Sequence, residues 1–198
     1  MRGYRQGVEV NGYKIEPGGN LTDANLYGAY LEGATLMDAN LTNANLTRSY
    51  LLDANLTGAR LYRANLKDAE LGRANLYEAN LYEANLTGAR LYHANLEGAR
   101  LYRANLKDTR LGHAILTRAN LQYANLEGAD LENAYLEGAR LTGANLQYAN
   151  LQYANLEGVH LSTVNLSGAN MLGANLWGAT LTGATLTGAI MEDGSRHE

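Results

Sequence analysis

At 198 residues and a net charge of −4, the chain is long enough for one ordinary domain and too weakly charged to name a partner by charge alone. It holds 22 Gly, a single Pro and neither Cys nor Phe, which excludes disulfides and thiol chemistry, and its apolar content rests on Ala and Leu. The opening MRGYRQGVEVNG lacks the apolar stretch of a secretory signal and no run reaches the length of a membrane span, so the expectation is a cytoplasmic protein that does not engage a membrane.

Residues 1–18 stand apart from the rest of the chain. Val8 and Val10, then Tyr13 and Ile15, alternate about an Asn11-Gly12 step, a strong hairpin signal. This segment reads as an N-terminal cap on a repeating body, joined to it by Pro17-Gly18-Gly19.

Residues 19–193 have a period of five without insertion or deletion. From Leu21 to Met191, 33 of 35 positions spaced five apart are Leu, the exceptions being Met171 and Met191. Two residues before each stands Ala in 30 cases; the others are Gly19, Ser49, Thr109, Val159 and Val164. A straight helix would scatter these leucines by about 140° per step, and one long strand would flip them between faces. A short extended piece, Ala-x-Leu, points both side chains the same way, and the remaining two residues must turn the chain. The second residue after Leu is Gly 14 times, as the third position of a type II turn favours. Near right-angle turns would close four units into a square coil of twenty residues, with stacked coils about 4.8 Å apart and the rod roughly 40 Å long. Periodicity alone does not establish that closure.

The stretch ANLTGARLYRANLKDAELGRANLYEANLYEANL resembles the pentapeptide-repeat family, whose pattern is A-[DN]-L-x-x, and the likeness spans residues 19–193. The resemblance implies a right-handed, four-sided parallel β-helix: an all-β solenoid of about nine coils, here with a hairpin-like N-terminal cap. The chain departs from the family's gyrase-protecting members in lacking Phe at the central position and any looped insertion.

Residues 194–198 form a short tail, and no helix or hairpin is expected to cover the last coil. An open coil edge invites pairing, so self-association as a two-fold dimer is expected through Leu172, Trp177, Ile190 and Met191. The alternative is a tail that folds back as a lid.

Taking every twentieth residue gives each side of the rod. One side has Asn at 25, 45, 65, 85, 105, 125, 145 and 165, read as a ladder of stacked amides. Another carries Tyr62, Tyr82 and Tyr102 flanked by Arg60, Arg63, Arg100 and Arg103, explicable by stacking and cation–π contacts and also a favoured interface composition. A third places His93 and His113 one coil apart beside Arg90 and Arg110; no acidic or thiol ligand completes a metal set and the arginines oppose a cation. Ser49 and Thr109 read as small groups bonding nearby backbone, and Val159 and Val164 as widening one coil. Charge is banded along the axis, net +4 over residues 60–118 and −6 over 119–198.

An interior filled by Leu and Ala leaves no substrate pocket, and no catalytic, cofactor or metal motif appears, which argues against an enzyme. The reading is a rigid rod serving as a protein-interaction or scaffold module, with a partner the sequence does not identify, no cofactor, and no direct nucleic-acid binding. The alternative, implied by the resemblance, is a DNA mimic that binds a type II topoisomerase; the basic middle band counts against it. A Thr ladder for ice binding is broken by Tyr and Gln among Thr22, Thr42, Thr142 and Thr182.

Overall fold

The computed structural model describes residues 8–198. Residues 1–7, which carry part of the expected cap and of the reading against a leader, lie outside the described residues. The unit Ala84-Asn85-Leu86-Thr87-Gly88 shows how the body is built. Leu86 N–H donates to Asn105 O at 2.7 Å and Gly88 N–H to Lys107 O at 2.9 Å, both in the next coil, while Asn85 N–H donates to Ala64 O of the previous coil at 2.9 Å. Ala84 N–H closes the preceding turn onto Leu81 O at 3.0 Å, as Ala89 N–H closes the next onto Leu86 O at 2.9 Å. The fifth donor, Thr87 N–H, has no strand to meet and is taken by the Asn85 side-chain oxygen at 3.1 Å. All five N–H groups of the unit are thus satisfied, as a closed solenoid requires of its backbone.

Gly88 has φ +68°, the signature of the third residue of a type II turn. Left-handed φ recurs at that position in every unit from Asp23 to Gly188, at 14 glycines and 20 other residues. Parallel pairings twenty residues apart run from Asn20–Asn40 to Asn170–Ile190. Four units therefore make one coil of a right-handed, four-sided β-helix. Side 1 has residues 20, 40, 60 and onward at its centre; sides 2, 3 and 4 are centred on the series from 25, 30 and 35.

Leu and Ala fill the interior. Every repeat leucine from Leu21 to Leu166 is at most 2% exposed, each contributing on the order of 1.5–3 kcal/mol by burial. Ser49 and Thr109 are fully buried and donate to Leu46 O and Leu106 O, each at 2.7 Å, so neither leaves an unmet polar group inside.

At the N-terminal end, β1 (Val8–Val10) and β2 (Tyr13–Ile15) form an antiparallel hairpin, Val8 opposite Ile15 and Val10 opposite Tyr13. Ile15 is buried on the first coil, and the Tyr13 hydroxyl accepts Asn25 N–H at 3.1 Å. The hairpin thereby covers apolar surface and occupies a backbone donor of the coil beneath it.

The C-terminal end differs from the expectation of an uncovered edge. The tail folds back: Ile190 pairs antiparallel with Arg196, His197 N–H donates to Ala189 O, and Gly188 N–H donates to His197 O, both bonds at 2.8 Å. The cause is Asp193-Gly194, a hairpin signal in its own right. Gly194 adopts φ +85° and bonds back to Met191 O at 3.0 Å, and Met191 N–H reaches Ser195 O at 2.8 Å, the pattern of a three-residue loop with a bulge. This lid covers side 3 alone. Leu176, Leu181 and Leu186 stay partly exposed, and among the described residues their N–H groups have no hydrogen-bond partner.

Inside the rod the ladder opens at one place. Among the described residues between the two ends, the N–H groups of Gly138, Leu141, Gly143, His160 and Thr163 make no inter-coil bond, although Arg140 and His160 still lie opposite one another. Val159 and Val164 sit at the two inner corners of this segment, in columns where Ala139, Ala144, Ala179 and Ala184 are the neighbours. Extra methyl groups in a column sized for alanine spread the coils, an overpacking effect. Val159→Ala/Val164→Ala should close the ladder and slow hydrogen exchange of the Leu141 and Gly143 amides by about fivefold, since one regained bond is worth about 1 kcal/mol. Unchanged exchange at both amides would show that the valines are not the cause.

Candidate functional site

A uniform interior leaves chemistry to the outer positions: the centre of each side and the two residues of each corner. On side 1 the corner after Leu61, Leu81 and Leu101 carries Tyr62, Tyr82 and Tyr102. Ring centroids are 5.5 Å apart from Tyr62 to Tyr82 and 5.2 Å from Tyr82 to Tyr102, and Tyr123 meets the end of the stack edge-on at 5.5 Å. The coil spacing enforces this, because equivalent side chains must lie about 4.8 Å apart. Arg63 lies over Tyr62 at 4.9 Å and Arg103 over Tyr102 at 5.3 Å. Arg63 also pairs with Glu83 at 2.8 Å, and hydrogen bonding to that carboxylate raises its pKa further. Arg60 and Arg100 project from the centre of the same side, exposed. The structure thus gathers all seven residues singled out in sequence into one stripe and adds Tyr123, which occupies the turn position next along and was overlooked because it falls one residue out of phase.

His93 and His113 stack at 4.9 Å, with Tyr92 edge-on to both at 4.4 and 5.2 Å. Gly112 makes room for this: a Cβ there would come within 2.6 Å of the Tyr92 ring. The imidazoles are packed against aromatic edges, and among the described residues no group of three metal-ligating side chains forms.

The Asn positions do more than stack. Amide-to-amide bonds on side 2 join Asn45 to Asn25, Asn85 to Asn65, Asn125 to Asn105 and Asn145 to Asn125. In addition, each Asn that precedes a repeat Leu or Met, and Asp130 likewise, accepts the N–H two residues on, as Asn20 does from Thr22 and Asn175 from Trp177. The requirement is for a short side-chain oxygen, which is why Asp130 serves equally.

Charges pair along the axis between neighbouring coils: Arg73 with Asp53, Arg90 with Glu70, Lys107 with Glu127, and Arg118 with Glu97. The Arg73 guanidinium holds the Asp53 carboxyl below its usual range, and Glu127 raises Lys107. Many residues of the basic band are therefore locally neutralised. A shallow recess of about 360 Å³ between sides 4 and 1 is lined by Tyr77, Glu78, Glu97, Gly98, Arg100 and Arg118. Among the described residues no helix is long and apolar enough to cross a membrane.

The predicted self-association residues do not form one patch. Trp177 is 76% exposed on side 4, whereas Leu172, Ile190 and Met191 are half-buried, with Ile190 engaged by the tail. Asp193 organises that tail, and the hydrogen bonds from Ser195, from its hydroxyl first and its N–H second, hold the Asp193 carboxyl below its ordinary range. A depressed carboxylate stabilises the hairpin at pH above its unfolded value, about 4, and that contribution disappears as pH falls through the lower folded value. Exchange protection of the Gly188 and His197 amides should stay level from neutrality to about pH 4 and decline below it, whereas Asp193→Ala should lose protection at neutral pH. Equal protection in the variant at neutral pH would remove Asp193 from this role.

The description pentapeptide repeats, in eight copies, matches segments 20–58, 34–71, 54–92, 94–133, 124–162 and 160–193. HetL, a pentapeptide repeat protein involved in heterocyst differentiation regulation from the cyanobacterium Nostoc sp. strain PCC 7120, is 38% identical; the match covers 91% of this chain and 90% of HetL, with a TM-score of 0.46. A trypsin-treated form of QnrB1, a plasmid-mediated fluoroquinolone resistance protein, is 22% identical over 84% of this chain and 86% of its own, with a TM-score of 0.68, a likeness of fold alone. Rfr23, a pentapeptide repeat protein from the cyanobacterium Cyanothece 51142, is 40% identical over 51% of this chain and 58% of its own, with a TM-score of 0.34. No curated protein shows significant similarity to the chain.

Proposed function

Because the chain belongs to the pentapeptide-repeat family, whose members compared above are repeat proteins, we propose that it is a non-enzymatic rigid rod that binds a protein partner along side 1. The observation that carries this reading is the ordered Tyr62–Tyr82–Tyr102 stack with Arg60, Arg63, Arg100 and Arg103 on one flat side. Aromatic and guanidinium groups held rigid by a scaffold lose little entropy on binding, the composition and pre-organisation of interface hot spots. A buried Leu/Ala interior leaves the side surfaces as the place where this rod meets other molecules. Its compartment is proposed to be the cytoplasm.

Threonine already occupies the tyrosine position at Thr22 and Thr42, where it bonds the preceding Asn. Tyr62→Thr/Tyr82→Thr/Tyr102→Thr should therefore keep the fold. In affinity capture from native extract with mass spectrometry, proteins retained by the parent chain should be lost by this variant. Identical retention by both chains would move the interface off side 1.

The alternative, mimicry of B-form DNA toward a type II topoisomerase, is disfavoured by the net +4 over residues 60–118, where a phosphate-like surface would be acidic. Purified chain should leave gyrase supercoiling unaffected; inhibition below micromolar concentration would favour mimicry instead.

We also propose that the end coil pairs with a second copy of the chain. The exposed Trp177, the half-buried Leu172 and Met191, and the open N–H groups of Leu176, Leu181 and Leu186 support this, with Ile190 now assigned partly to the tail. Sedimentation equilibrium should show a dimer that Trp177→Lys weakens by at least about tenfold, the loss expected of an aromatic hot spot. A parent that remains monomeric at tens of micromolar would eliminate the pairing.

A further inference from the structure

The cations of the rod fall into two sets, those answered by an acid on a neighbouring coil and those that are not. Arg48, Arg63, Arg73, Arg90, Arg118 and Lys107 all have acidic partners on adjacent coils. Among the described residues Arg60, Arg100 and Arg140, like Lys67, Arg103 and Arg110, form no ion pair, but these three alone are exposed in a regular line, alternating with Asn80 and Asn120 along the centre of side 1. Two coils separate each from the next, about 9.5 Å, so the three guanidiniums span about 19 Å in a straight line. One edge of this line is the tyrosine stack. At the opposite corner, Glu78, Glu97, Glu137 and Glu157 are engaged locally: Glu97 with Arg118, Glu78 with the Tyr77 hydroxyl, and Glu137 and Glu157 with Asn155 and Asn175 of side 4. Each of those carboxylates has another partner, so although Glu78 and Glu97 share a recess with Arg100, none of them forms an ion pair with the three arginines.

We infer that side 1 is a docking face for an acidic helix of the partner protein, which deepens the interaction reading above and rests on it. A three-residue side is about 10 Å wide, close to the diameter of an α-helix, and carboxylates at i and i+7 on one helical face lie about 10.5 Å apart, within the reach of flexible arginines spaced at about 9.5 Å. The tyrosines form the wall that meets the apolar flank of that helix and bring the hydroxyls with them. Single-stranded nucleic acid fits less well, because the ring faces that would receive bases are already covered by one another and by Arg63 and Arg103.

The test is fluorescence anisotropy of the full chain with a fluorescein-labelled, alanine-based helical peptide that carries Glu at i, i+7 and i+14 and is otherwise uncharged. Saturable binding is expected, weakened about tenfold or more both by high salt and by Arg60→Glu/Arg100→Glu/Arg140→Glu, and unchanged in Arg110→Glu, which reverses an unpaired arginine on side 3. Circular dichroism confirms that each variant keeps the parent's melting behaviour. The inference is overturned if the triple variant binds the peptide as the parent does, if Arg110→Glu weakens binding equally, or if a single-stranded oligonucleotide binds more tightly than the peptide. Loss of peptide binding alongside capture that still depends on Tyr62, Tyr82 and Tyr102 would overturn the helix while leaving the interaction reading intact, whereas capture that never depends on them would overturn both.

Discussion

The hydrogen-bond ladder between successive coils is the constraint on which the rest of the molecule depends. A strand of three residues is too short to stand alone, and it persists because its donors and acceptors meet equivalent groups twenty residues away, above and below. That arrangement demands a turn every five residues, and the turn demands a left-handed residue at its third position. It also strands one N–H per unit. The Asn side chain before Leu resolves this last problem, which makes the Ala-Asn-Leu motif a statement about backbone satisfaction more than about amide stacking.

The same ladder explains how the chain tolerates so many strained turns. Twenty residues other than glycine hold φ near +55°, a conformation that costs on the order of 1 kcal/mol each. They persist because neighbouring coils over-determine the backbone, and because side chains at these positions find support one coil on. Tyr123 lies across Gly143 and Tyr148 across Gly168, where an added Cβ would come within 2.6 Å of the ring. Glycine at those turns thus relieves both φ strain and a collision with the residue stacked before it.

A solenoid has two ends and one repeated interior, so individuality is confined to its ends and its outer faces. Its ends are treated unequally: a hairpin seated on the first coil, and a tail that closes only one of four sides of the last. The outer faces are treated unequally too. Half of the rod's cations are matched along the axis by an acid on a neighbouring coil, while the centre of side 1 keeps Arg60, Arg100 and Arg140 unmatched among the described residues, beside a pre-stacked aromatic row. Rigidity makes that difference consequential, since a fixed array of charges and rings presents one geometry to a partner.

Period, inward residues, turn positions and the N-terminal hairpin were legible in the amino-acid sequence because each is a property of five or fewer neighbours: alternation puts Ala and Leu on one side, Gly marks left-handed φ, and Asn11-Gly12 marks a reversal. The C-terminal reversal carried the same kind of signal in Asp193-Gly194, hidden by reading those residues as the end of the periodic run. Closure into four sides came through family resemblance, and closure is what makes residue n a neighbour of residue n+20. Once that closure was granted, the Asn, Tyr and His columns and the widening at Val159 and Val164 could be read by counting in twenties; which arginines are paired, that Tyr123 joins the stack of Tyr102, that Asn175 reaches Glu157 and which amides the widening frees were decided by the tertiary structure alone. The physical reason is that local propensity chooses the shape of each turn, whereas the contacts of a side chain on this rod lie one full coil away.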